Sequence, residues 1–171
     1  MAVVRLNYVK KGKGERATAK ANVKYIENRK GKDGANIQRP LFTTYGQITR
    51  READDLIDQA EEGSTFFRVK ICPDPVKEDM KHDLLLREIT AKTMDIEEKL
   101  GKPVTWVAAI HDDHTDKRHV HVLAVAKARL LPATHMIDKA TEACLEQRRE
   151  LDRAREHKAR EQEGGEWERE R

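Results

Sequence analysis

The segment PVTWVAAIHDDHTDKRHVHVLAVA, residues 103–126, constrains this chain more than any other. Two β-prone apolar runs, 103–111 and 119–126, flank the polar stretch DDHTDKR. A connection of that length pairs neighbouring strands antiparallel. Side chains alternate faces along a strand, so His119 and His121 point one way while Val120 and Val122 point to the opposite, buried face. His111 closes the first strand, and the hairpin carries it alongside the other two. Three imidazoles converging at the end of a hairpin offer a divalent metal neutral nitrogens on rigid elements, with positions left open for a substrate. A lone His-x-His pair would read as the polar face of a half-exposed strand; the third histidine on the partner strand changes the balance. His114 sits in the turn and is the least constrained. Asp112, Asp113 and Asp116 are near enough to orient the imidazoles from behind, or equally to form the turn.

The rest of the chain supplies an α+β frame around this hairpin. Residues 2–9 read as a strand, 17–30 as a helix and 31–40 as a loop, with a short extended piece over 41–46. Thr49 and Glu52 form a capping-box pair that opens a helix running to Gly63. Residues 65–72 alternate as a strand stopped by Pro73 and Pro75. Leu85, Ile89, Thr93, Ile96 and Leu100 recur at helical spacing up to Gly101. From about 133 the pattern is helical again, and beyond Leu151 it becomes densely mixed charge. This order predicts one antiparallel sheet with helices packed on one face, leaving the other face for a site. Residues 1–150 form the domain and 151–171 a charged helical tail that frays.

Charge narrows the partner. Residues 1–50 hold 12 Lys/Arg against Glu15, Glu27 and Asp33, a balance of +9, whereas the whole chain carries +3. A basic front end on a near-neutral chain suits an anionic ligand, of which nucleic acid is the commonest; a basic arm without a ligand is the alternative. The composition, 37% hydrophobic and 38% charged, excludes full disorder, and without a run of about 18 apolar residues no membrane span is expected. No leader is visible after Met1, and Cys72 and Cys144 form no disulfide framework, so a reduced, cytoplasmic protein is expected.

Phosphate chemistry at a metal needs a nucleophile, and the chain has three tyrosines. Tyr25 lies on a helix among Lys20, Lys24, Arg29 and Lys30, cations that favour a phenolate and also hold a nucleic-acid backbone. Tyr45 precedes Gly46 in a loop and is the alternative nucleophile. Tyr8, beside apolar residues in the first strand, reads as core.

With these residues in view, TWVAAIHDDHTDKRHVHVLAVAKARL resembles the metal-binding motif of the DNA relaxases, or mobilisation nucleases, of the His-hydrophobe-His endonuclease superfamily. In that family an upstream histidine precedes the His-x-His pair at the separation seen between His111 and His119–His121. STFFRVKICPDP resembles the family's core strand, with Ile71-Cys72-Pro73 where Leu-Ser-Pro is frequent, and NVKYIENRKGKDG resembles the region bearing the nucleophilic tyrosine. The resemblance spans roughly residues 17–150. It implies metal-dependent nicking and strand transfer on single-stranded DNA, with Mg²⁺ or Mn²⁺ held by His111, His119 and His121. Tyr25 would form a 5′-phosphotyrosine intermediate. The implied partners are single-stranded DNA at an origin of transfer and accessory mobilisation proteins. The same chemistry serves rolling-circle replication initiators, and the same fold could serve a catalytically inactive nucleic-acid-binding module.

Overall fold

A computed structural model describes residues 2–9, 11–73, 83–99, 104–112, 118–127, 130 and 134–167. Its elements are β1 (Val3–Tyr8), α1 (Glu15–Asn28), β2 (Leu41–Thr43), β3 (Gly46–Ile48), α2 (Arg50–Asp58), β4 (Thr65–Cys72), α3 (Asp83–Lys99), β5 (Thr105–His111), β6 (His119–Ala126) and α4 (Thr134–Trp167). The strands form one six-stranded sheet in the order β1-β4-β6-β5-β2-β3, antiparallel throughout. The expected α+β class therefore holds, and β5 and β6 pair as foreseen, with His111 opposite His119.

The helices distribute differently from expectation. Both faces of the sheet are used. On one face, Ala19, Val23 and Ile26 of α1 and Ala53 and Ile57 of α2 pack against Phe66, Val107, Ala109, Leu123 and Val125. On the other, Leu85, Leu86 and Ile89 of α3 and Ile137, Ala140 and Cys144 of α4 pack against Val69, Ile71, Ala108, Val120, Val122 and Ala124. The central strands explain this: Val122–Ala126 is apolar without alternation, as a strand covered on both sides must be. Each fully buried Leu, Ile or Phe contributes about 1.5–3 kcal/mol of transfer free energy, so the two layers together supply the main cohesion.

Local chemistry fixes the ends. Thr49 caps α2 by accepting from the Glu52 amide, and the Glu52 carboxylate accepts from the Thr49 amide, completing the predicted capping box. That helix stops at Asp58, earlier than expected; Gly63, at φ +80°, serves the turn into β4 instead. The extended piece at 41–46 is one arm of the β2–β3 hairpin, where Gly46 takes φ +122°. Tyr8 is exposed on the edge strand β1 rather than in the core. α4 runs unbroken through 134–167, and its residues 151–159 are exposed throughout; residues 168–171 lie outside the described part. Among the described residues no helix is long and apolar enough to cross a membrane.

Candidate metal centre

His111, His119 and His121 do converge, each offering one ring nitrogen with all three within 4.8 Å of one another. Strand geometry does most of this. His111 and His119 are cross-strand partners and His121 lies two residues along β6 on the same face, giving ring-centroid separations of 5.6, 4.5 and 5.0 Å. The site is a buried one, not the surface site that a half-open sheet suggested: His111 is 0% and His119 2% exposed. Burial follows from α1, which lies across this end of the sheet.

α1 also orients the first histidine. The Ile26 carbonyl lies 2.8 Å from His111 Nε2. A carbonyl can only accept, so that nitrogen carries the proton and Nδ1 presents its lone pair as the ligand atom. Nε2 of His121 is buried and makes no hydrogen bond among the described residues. Bonds of about 2.0–2.1 Å to an ion require nitrogens roughly 3–4 Å apart, a closure that small ring rotations accomplish. The donor set thus fits a divalent cation.

Electrostatics favour the ligand form. Burial first, then the adjoining His111 and His119 and the charges of Lys70 and Arg29, hold the His121 imidazole down at about 3, from an ordinary 6.5. Protons therefore do not compete for this nitrogen at neutral pH. A stability consequence follows. The unfolded chain protonates His121 as pH falls through 6.5 and the folded, metal-free chain does not until about 3, so stability is full above 6.5 and declines below it. The expected slope is up to about 1.4 kcal/mol per pH unit. Urea unfolding of metal-free protein at pH 7.5 and 5.5 should show the loss, and His121→Gln should reduce it; an unchanged slope in the variant would assign the acid sensitivity to other groups.

The last turn of α1 carries the candidate nucleophile. Tyr25 is half exposed, immediately before Ile26, and the Arg29 guanidinium lies 5.7 Å from its ring centroid. Arg29 is the C-cap of α1, three residues beyond the Ile26 carbonyl that meets His111. Buried Arg39 secures this turn: its guanidinium donates to the Arg29 carbonyl at 2.7 Å and its amide to the Glu27 carbonyl at 2.9 Å. Arg50 and Glu27 add an ion pair at 2.6 Å. These anchors satisfy carbonyls that a helix end leaves open.

Other predicted residues are placed apart. Tyr45 is fully exposed and lines a cavity with Thr105 and Trp106 at the far end of β5, about 20 Å from His111 at ~3.3 Å per strand residue. Lys20 is engaged by Asp58 of α2, Nζ to Oδ2 2.6 Å, on the flank of α1 away from Tyr25 and Arg29. Lys24 follows one turn later on that flank and is exposed, as is Lys30 beyond the helix end. Asp112 is exposed, 3.8 Å from Arg118. His114, Asp113 and Asp116 lie outside the described residues. Lys70 was not singled out from sequence, although the alternation in TFFRVKIC places it on one face with Arg68 and Cys72, and it pairs in register with His121.

Comparison with protein-family models, with curated proteins and with solved structures yields no match.

Proposed function

We propose that this chain is a metal-dependent single-strand DNA nickase that works through a covalent tyrosine intermediate. The observation that carries the reading is the placement of one helix: α1 gives its Ile26 carbonyl to His111, carries Tyr25 on the same turn and ends on Arg29, which lies over the Tyr25 ring. A divalent ion, Mg²⁺ or Mn²⁺, held by His111, His119 and His121 would supply charge neutralisation at the non-bridging oxygens of a scissile phosphate.

In this reading Arg29, placed over the Tyr25 ring, helps to fix the phenol and holds a neighbouring phosphate. Tyr25 Oη gives up its proton to solvent and attacks phosphorus in line. The Tyr25 O–P bond forms as the P–O3′ bond breaks, and the departing 3′ oxygen takes a proton. The product is a 5′-phosphotyrosine with a free 3′-OH, and the retained phosphoester permits rejoining without ATP. Lys24 and Lys30 assist in holding the backbone; Lys20, already paired, contributes less. A role in mobilising a plasmid or integrative element, with accessory proteins at an origin of transfer and in the cytoplasm, follows from the motif resemblance.

The test is a nicking assay on labelled single-stranded DNA from the protein's own replicon. With Mn²⁺ or Mg²⁺ the strand should be cut to a 3′-OH end with the other fragment bound to protein, and EDTA should stop it. A strand that stays intact with both metals across a broad set of sequences would favour a binding module without cleavage.

A further inference from the structure

Among the described residues, only half of the sheet face that bears the histidines is covered. α1 and α2 bury its β5–β6 part, whereas the β1–β4 part turns Arg5, Asn7 and Arg68 to solvent and leaves Lys70 half-buried. Register sets these side chains in rows. Arg5 pairs with Lys70 and Lys70 with His121, while Asn7 pairs with Arg68 one row further from the histidines. Neighbouring strands lie about 4.8 Å apart, so the row Arg5–Lys70–His121 runs about 10 Å from sheet edge to candidate metal centre. Every residue of β1 and β4 on this open part is cationic or uncharged. Arg29 stands at the C-cap of α1, the helix whose Ile26 carbonyl meets His111.

We propose that Arg5, Arg68 and Lys70 form the track that holds the phosphates of single-stranded DNA leading into the histidine centre. The proposal rests on the nuclease reading for its direction, since the strip ends at the candidate metal. Charge complementarity selects the occupant: a linear polyanion can place successive phosphates on cations spread over two strands, and a face two strands wide that no helix covers among the described residues accommodates a chain without demanding a folded partner. Lys70, nearest the cluster, would hold the phosphate next to the reacting one, while Arg5 and Arg68 would hold those further out. None of the three is buried by apolar packing, so their charge can be removed without opening the core.

The experiment measures binding of a fluorescent oligo-dT by anisotropy over a range of salt, in EDTA so that no cleavage intervenes. Arg5→Gln combined with Arg68→Gln should lower the slope of log affinity against log salt by about 1.4, two contacts at ~0.7 each, and weaken binding roughly 25-fold at 0.1 M salt. Thermal unfolding and Mn²⁺ affinity should match the parent. Arg153→Gln combined with Lys158→Gln, on the exposed part of α4, should leave the slope unchanged. An undiminished slope in the Arg5/Arg68 variant, with the parent binding DNA, would overturn the track and leave the nuclease reading intact. Failure of the parent to bind any single strand would overturn both. Binding that follows the predicted slopes in a protein that never nicks would support the track and refute the nuclease.

Discussion

Replacing Tyr25 with phenylalanine is expected to reduce nicking by roughly 10⁴-fold or more, the scale seen when a catalytic nucleophile is removed. The change deletes one hydroxyl from a half-exposed ring, so folding, Mn²⁺ binding and affinity for single strands should stay close to the parent. Arg29 keeps its place over the ring. The covalent protein–DNA species should vanish with the activity, while Tyr45→Phe and Tyr8→Phe retain it. Single-turnover cleavage on a denaturing gel reads both outcomes. Persistent nicking without an adduct in the Tyr25 variant would point to direct attack by water.

The second large effect lies in the histidines. His121→Ala should weaken Mn²⁺ binding by on the order of 100-fold or more, since loss of even an indirect partner of a ligand costs 10–100-fold. It is the variant to use, because His121 is the least buried of the three. His111→Ala and His119→Ala should lose the metal too, but each empties a packed site and is expected to cost about 1–3 kcal/mol of stability as well. Calorimetric titration separates the contributions when read beside thermal unfolding. Unchanged Mn²⁺ affinity in His121→Ala would remove this residue from the ligand set.

How much of this could be read from the sequence depends on whether the determinant was local. The hairpin of residues 105–126 was legible because alternation and a polar turn are short-range signals, and with it came the convergence of His111, His119 and His121. The Thr49–Glu52 capping box was legible for the same reason. The second helical layer was signalled, but by a subtler cue: Val122–Ala126 lacks the alternation of a one-sided strand, and small residues such as Ala108, Ala109 and Ala124 let helices approach from both sides. What composition and spacing could not supply was the crossing of α1 over the cluster, which depends on packing of Ala19, Val23 and Ile26 against strands some 80 to 100 residues later. That crossing buries the histidines, turns Lys20 toward Asp58 and separates Tyr25 from Tyr45. The cationic row beside His121 needed the β4–β6 register, a long-range fact.

The central claim, that the phenol on α1 attacks a phosphate held at the histidine centre, is tested most directly by locating the bond it makes. The covalent product formed with Mn²⁺ on single-stranded DNA is digested with nuclease and trypsin, and the modified peptide is sequenced by mass spectrometry. Cleavage after Lys24 and Arg29 releases Tyr25 in the peptide YIENR, whereas Tyr45 falls in the peptide spanning 33–50. The account predicts a nucleotide on Tyr25 in the first peptide, absent when EDTA replaces the metal; a nucleotide on Tyr45, or an adduct formed equally well in EDTA, would contradict it.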